Sequence, residues 1–506
     1  MTGTFSSLLP LIAVLIPAAG ATLVALTGER QRNVRDAWST IAGVALLTVV
    51  FVMLPDVLDG RVPETMLIEI APGIDIVMRA DPAGMIFALL ASALWVLAGI
   101  YAVGYMRGLD SHKQTRFFTS FALSIAATMG IAFSGNLLTF IIFYELLSLL
   151  TYPLVIHNET EHSAIAGRQY LVYTLSGGLM LIGAAAWLHV LGIPADFTPG
   201  GFLAGADLSD PVLWVLFGLL ATGMAVKAAV MPLHSWLPMA MVAPTPVSAL
   251  LHAVAVVKAG VFGVVRVLVF VFGATLLQDL GAWIVLASMS GATLIIASLL
   301  ALRHDNLKRR LAYSTVSHLS YIVLGIALIG PIALVGALLH IVGHGVTKIT
   351  LFFCAGAIHV HTHKENVSEL NGIGWKMPFT MLAFALASLS MAGIPPFVLF
   401  TSKFYLGWGA AEVGQQAFMV LYMVSGVLSA GYLFPVVIRA FRDKPADFSF
   451  RRVRDADPRM VAPLFVTGVV ALLWGIFPDS PFQFFQLAEG IAQSAFSSAP
   501  VAGGTP

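Results

Sequence analysis

The chain is a train of apolar stretches, each about 20 residues long, the length that carries a helix across the hydrocarbon core of a bilayer. Fourteen are readable, starting near residues 6, 36, 81, 116, 135, 164, 211, 245, 281, 307, 331, 377, 416 and 460. Composition agrees with the count. Of 506 residues, 58% are hydrophobic and only 10% charged, whereas a soluble domain carries roughly a quarter of its residues as Asp, Glu, Lys and Arg. So little charge cannot cover a water-soluble globule of this size. The expected fold is an all-α polytopic membrane protein.

The loops supply an independent test. Those after odd-numbered spans are basic: Arg30, Arg32 and Arg35; Arg107, Lys113 and Arg116; Arg303, Lys308, Arg309 and Arg310; and a last group from Arg439 to Arg459 that includes Arg451, Arg452 and Arg454. Those after even-numbered spans are acidic, with Asp56, Asp59, Glu64, Glu69, Asp75 and Asp81 after the second and Asp196, Asp207 and Asp210 after the sixth. The positive-inside rule then expects odd-numbered loops in the cytoplasm and both termini outside a bacterial inner membrane. No basic residue precedes the first apolar run, which reads as a retained span and not a signal peptide. The net charge of +1 favours no polyanionic partner. The lone Cys354 excludes an internal disulfide and a cysteine-based metal site. The polar segments 56–80 and 442–459 are too short to fold alone, and the tail after Pro481 has no expected role.

An ionisable side chain near the bilayer centre costs roughly 2.5–3.5 kcal/mol on insertion scales, so retention implies use. The spans hold Glu145, Lys227, His252, Lys258, His318, His340, His344, Lys348 and Lys403. Glu145 and a neighbouring lysine could be static struts, but buried ion pairs stabilise weakly, and buried lysines release protons readily. His340, His344 and Lys348 recur every four residues, which stacks them on one helix face. No carboxylate or thiolate completes a metal-ligand set with them, and His359, His361 and His363 read as a solvated turn at a span end, not a metal site. Pro232 lies five residues after Lys227, and Pro395 and Pro396 precede Lys403. Proline breaks a helix and frees backbone groups, as happens at the ion sites of transporters, so spans 7 and 12 are expected to be broken.

Five segments carry a specific resemblance: Lys227-Ala-Ala-Val-Met-Pro-Leu-His-Ser-Trp-Leu-Pro238, Ala243-Pro-Thr-Pro-Val-Ser-Ala-Leu-Leu-His252 with Lys258-Ala-Gly260, Asp305-Asn-Leu-Lys-Arg-Arg-Leu-Ala-Tyr-Ser314, His344-Gly-Val-Thr-Lys348, and Gly393-Ile-Pro-Pro396. They resemble the proton-conducting antiporter-like family of Mrp-type antiporters, complex I membrane-arm pumps and membrane-bound hydrogenases. Gly374-Trp-Lys-Met-Pro378 and Ser402-Lys-Phe-Tyr-Leu406 look most like an Mrp D subunit. Lysine at position 403 disfavours one complex I subunit that carries glutamate there, and Val398-Leu399-Phe400 departs from the family's Gly-containing stretch.

The resemblance implies fourteen helices with two inverted five-helix repeats, helices four to eight and nine to thirteen. The corresponding divisions are 1–113, 114–273, 274–441 and 442–506. It also implies a hydrated polar axis on which Glu145 pairs with Lys227, and protons move among these, His252, Lys258, His318, His344, Lys348 and Lys403. The expected function is the proton-translocating subunit of a multi-subunit Na⁺/H⁺ antiporter, partnered by other membrane subunits and needing no cofactor. A pump subunit of a redox complex is the alternative, and a proton-driven energiser of inorganic-carbon uptake a weaker one.

Overall fold

A computed structural model describes residues 3–71, 74–444 and 455–496. Among them, twelve helices are long and apolar enough to cross a membrane. They are Leu9–Thr27, Arg32–Leu58, Pro82–Gly108, Gln114–Ala132, Leu137–Val155, Glu161–Val190, Asp210–Lys227, Thr245–Phe272, Trp283–Arg303, Pro331–Thr362, Gln416–Phe441 and Pro458–Ile476. Two further elements stand between them in chain order. One is Leu307–Ala327, made more polar by its basic first turn and by His318; the other is the pair Pro378–Ala392 and Val398–Glu412. Numbered together in chain order these are spans 1 to 14, as the apolar stretches predict. Arg451, Arg452 and Arg454, counted among the basic residues after span 13, lie outside the described residues.

Burial sorts the spans. Spans 8 and 11 are almost wholly enclosed, whereas spans 1, 2, 6, 13 and 14 present most of their surface outward. Large apolar side chains such as Leu179, Val190, Val427 and Ile438 point away from the protein, as lipid-facing positions do. Span 11 packs against spans 3, 8, 10, 12 and 14, and the enclosed spans carry most of the titratable groups.

Breaks interrupt three spans. Span 7 ends at Lys227, and a turn containing Pro232 leads to the short helix Trp236–Met239. Span 12 is interrupted between Ala392 and Val398, around Pro395 and Pro396. The third break has no proline to announce it. Span 8 loses helical geometry at Val254 and Ala255 and resumes at Val256, then widens into a π-helix over Arg266–Phe272.

The segment 56–80, expected to be too short to fold alone, forms two strands that pair with a third from the N-terminus. β1 (Thr4–Ser6) pairs in parallel with β2 (Val62–Ala71), which pairs antiparallel with β3 (Ile74–Arg79). Glu64 opposes Arg79 in register and forms an ion pair with it at 2.5 Å. This small sheet marks one end of the helix bundle, the sheet face; the basic loops lie at the other. The tail also has a part that sequence reasoning does not assign. Helix Phe484–Phe496 buries Phe484, Leu487, Ala488 and Ile491 and packs against spans 3 and 11.

Candidate functional site

Span 5 begins where the Asn136 side chain accepts a hydrogen bond from Thr139 N, satisfying one orphan amide of the first turn. Nine residues on, Glu145 reaches Lys227, with Oε1 3.9 Å from Nζ. That separation is a charge contact without a hydrogen bond. Lys227 donates instead to the carbonyl of Tyr144 and lies 3.4 Å from the centroid of the Tyr144 ring. The Glu145 side chain is 19% exposed, Lys227 not at all. Gly178 of span 6 makes room for the carboxylate, since a Cβ there would collide with Glu145 Cδ. At about 4 Å and an effective dielectric near 20, two unit charges couple by about 4 kcal/mol. Protonation of one group therefore resets the other.

Gly260 connects this pair to the interior. A Cβ on it would collide with Ala228 N, so span 8 presses its backbone on the broken end of span 7 two residues beyond Lys258. Among the described residues no hydrogen bond links Lys227 to Lys258.

From Lys258 onward the contacts become continuous. Its Nζ lies 2.9 Å from His344 Nδ1. The His344 ring stacks on His318 at 5.5 Å, and His318 Nδ1 is 3.1 Å from His340 Nε2. His340 Nδ1 is 2.9 Å from Ser402 Oγ, next to Lys403. A branch runs from His318 Nε2 to Ser429 Oγ at 3.4 Å and on to the Tyr432 hydroxyl at 2.9 Å. Each neutral imidazole offers one donor and one acceptor, which suits it to receive a proton at one nitrogen and release it at the other. Lys403 donates to the Met391 carbonyl at 2.6 Å, across the break in span 12, with its Nζ 5.0 Å from the Tyr321 ring centroid. That ring stacks on both His318 and His340.

Glu145 and Lys227 thus form one group, and Lys258, His344 and His318 a second that ends beside Lys403. Two sequence candidates stand apart. Lys348 donates to Ser314 Oγ at 2.7 Å and to the Leu311 carbonyl at 3.3 Å, off the run of histidines. His252 lies beside the span 8 break, its ring 4.7 Å from that of Phe352, and among the described residues neither ring nitrogen has a hydrogen-bond partner. Pro232, Pro395 and Pro396 occupy the breaks and not the line itself. His359 contacts Glu365 at 3.3 Å, and both line a polar cavity of about 460 Å³ at the basic face, with Thr245 and Lys308.

Sequence reasoning misses several members. It sets His340 on the right face without counting it as a proton carrier, and Tyr144, Tyr321, Ser402 and Ser429 carry no signal in one sequence. Arg266 does carry one, a lone arginine in Val264-Val-Arg-Val-Leu268. It is fully buried and paired with Asp81, which the charge pattern assigns to an acidic loop. Arg35 is likewise buried, hydrogen-bonded to Asp36, Glu29 and Gln114.

Residues 134–429 match the family described as NADH:quinone oxidoreductase/Mrp antiporter, TM, and that interval contains every group from Glu145 to Lys403. The chain belongs to this family. Within it, NADH-quinone oxidoreductase subunit N of Desulforudis audaxviator is 33% identical over 500 residues, covering 93% of this chain and 96% of that protein. A probable K⁺/H⁺ antiporter subunit of Rhizobium meliloti is 30% identical over 92% of this chain, which spans only 47% of that longer relative. A Na⁺/H⁺ antiporter subunit of Alkalihalophilus pseudofirmus is 28% identical and is spanned to 61% of its length. A chain of the Mrp complex from Dietzia sp. DQ12-45-1b superposes with a TM-score of 0.85 at 23% identity, covering 97% of this chain and 98% of its own. A chain of the membrane-bound sulfane sulfur reductase, an archaeal respiratory membrane complex, also reaches 0.85, at 21% identity with 96% and 98% covered. These two likenesses show a shared fold over nearly the whole chain.

Proposed function

We propose that this chain is the proton-translocating subunit of a multi-subunit monovalent cation/proton antiporter, with Na⁺ the exchanged ion. The observation that carries the reading is the line of protonatable groups running across the protein from Glu145 and Lys227 through Lys258, His344, His318 and His340 to Lys403. Each carrier lies beside another whose charge alters its proton affinity, so a proton moves stepwise and each departure prepares the next arrival. Lys348 and His252 join the line as side carriers, reached through Ser314 and through the break in span 8. No covalent step is involved. Sodium prefers oxygen ligands, and Glu145 is the one carboxylate of the line, opposed by a lysine. The cation path therefore belongs at an interface with partner membrane subunits.

Spans 4–8 and 9–13 are proposed as the two inverted repeats, supported by helix breaks beside Lys227 and Lys403 at corresponding places. Residues 1–113 and 442–506 flank them. The basic face is assigned to the cytoplasm of a bacterial cell, with both termini outside.

A second reading is favoured by one observation, the match to subunit N along 96% of that protein's length. The chain would then be a pump subunit of a redox complex, driven by electron transfer in its partners. Dye quenching in antiporter-deficient vesicles carrying the complete gene cluster separates the two. Proton movement on adding Na⁺ alone supports the antiporter. Proton movement that needs an electron donor and ignores Na⁺ overturns it in favour of the pump.

A further inference from the structure

The two ends of span 8 differ. At the basic face its first turn, at Thr245, lines the polar cavity of about 460 Å³. Towards the sheet face aromatic rings fill the space around it. Tyr144, which holds Lys227, stacks on Phe140 at 5.3 Å. Phe140 meets Phe197 at 6.2 Å and Phe262 at 6.4 Å, and Phe197 meets Phe270 at 6.5 Å. All four phenylalanines are buried.

Arg266 lies among these rings, eight residues beyond Lys258 and roughly 12 Å along the helix. Its guanidinium carbon is 4.9, 4.9 and 4.7 Å from the centroids of Phe197, Phe262 and Phe270. Nη1 pairs with Asp81 Oδ2, and Nη2 donates to Asp81 Oδ1 at 3.0 Å and to the Ala132 carbonyl at 3.5 Å. Asp81 Oδ1 also accepts from Gly84 N at 2.7 Å, capping span 3. The carboxylate is thereby committed to fixed donors on two spans.

We propose that Arg266, held by Asp81 inside this aromatic packing, is the electrostatic seal that keeps protons on Lys227 and Lys258 from leaking to the sheet face. The inference rests on the proton line proposed above. A relay with carriers open to both faces at once would dissipate the gradient it uses. Packed rings exclude the waters through which a proton hops, and the guanidinium, its charge balanced by Asp81, presents only N–H donors and no acceptor that could take a proton on. Arginine suits this place because it effectively never gives up its own proton, so it cannot become a carrier as lysine or histidine can. A fixed arginine excludes protons and cations from other membrane pores on the same grounds. Asp81 fixes the guanidinium and offers no free oxygen for a passing proton.

The test is passive proton flux in liposomes holding the assembled complex and an entrapped pH dye, under an imposed pH gradient with no exchangeable cation and no electron donor. Its outcome is thus separate from the choice between antiporter and redox pump. Arg266→Gln should raise the flux roughly tenfold or more, and Arg266→Lys, which keeps the charge but can release its proton, should leak as well. The double variant Arg266→Gln/Asp81→Asn restores a neutral hydrogen-bonded pair and should still leak. Wild-type flux in either assembled Gln variant would overturn the proposal. Failure of both Gln variants to assemble would make the pair a folding strut and overturn it equally.

Discussion

Lys258 Nζ and His344 Nδ1 lie 2.9 Å apart, both fully buried, and join span 8 to span 11. Two cations at that distance in a dry interior are costly, so the pair is ill suited to hold both groups charged at once. Among the described residues the His344 Nε2 has no hydrogen-bond partner, and the ring stacks on His318 at 5.5 Å. Lys258→Ala and His344→Ala should each cut transport by about tenfold or more, and the double variant should be no worse than the worse single one, since groups that act as a unit are non-additive. Transport losses that simply multiply would show two independent roles.

Glu145 depends on the missing side chain of Gly178. Gly178→Ala drives a methyl group into Glu145 Cδ, well inside contact distance, so the carboxylate has to move from its place beside Lys227. The expected result matches that of Glu145→Gln: assembly retained, as judged by pull-down of partner subunits, and proton transport in vesicles abolished. Normal exchange in Glu145→Gln would remove Glu145 from the line.

A relay needs Lys403 to lose its proton as well as to hold it. Lys403→Ala and Lys403→Arg should therefore both fail, because arginine keeps its charge. Substantial transport in the arginine variant would make Lys403 an electrostatic anchor.

His340 bridges His318 and Ser402, so His340→Ala should damage transport as severely as His318→Ala. Near-normal proton movement in His340→Ala vesicles would mean that protons bypass this bridge.

Outside the membrane, Glu159 accepts from Lys113 at 2.7 and 2.8 Å and from Arg116 at 2.5 Å, which lowers its carboxyl from the ordinary 4.5 to about 2. A depressed acid stabilises the fold fully above its unfolded value and loses that effect as pH falls through its folded one. Glu159→Gln should thus lower the melting temperature slightly at pH 7, and the difference should close between pH 4.5 and 2. The effect is small because the pairs are exposed. A difference that persists at pH 2 would assign the loss to something other than the charge.

Much of this is legible in the residues. Apolar length gives the fourteen spans because lipid leaves the backbone no alternative to helix. Pro232 and Pro395-Pro396 announce two of the breaks. The break at Val254 and Ala255 has neither proline nor glycine, only a run of small and β-branched residues that continues a helix equally well. The sheet has a signal, Pro72-Gly73 between two β-rich runs, which reading the segment by its acidic side chains passes over. The four-residue repeat rightly sets His340, His344 and Lys348 on one face. It cannot say that spans 10 and 12 offer His318 and Ser402 to the first two, and that span 10 offers Ser314 and the Leu311 carbonyl to the third. That depends on packing between distant segments.

Span 11 runs 32 residues from Pro331 to Thr362 as one helix, about 48 Å at 1.5 Å per residue. Its carriers are therefore mechanically one body. Tilting or sliding it would change the Lys258–His344 and His340–Ser402 distances in the same instant, which would connect or disconnect the line as a whole. One-at-a-time transfer needs motion elsewhere. Span 8 is broken at Val254 and Ala255, close before Lys258, and span 12 between Ala392 and Val398, close before Lys403. The two helix breaks thus sit next to the two lysines; if the proposed line works one step at a time, these breaks, and not the long helix, are where it would bend.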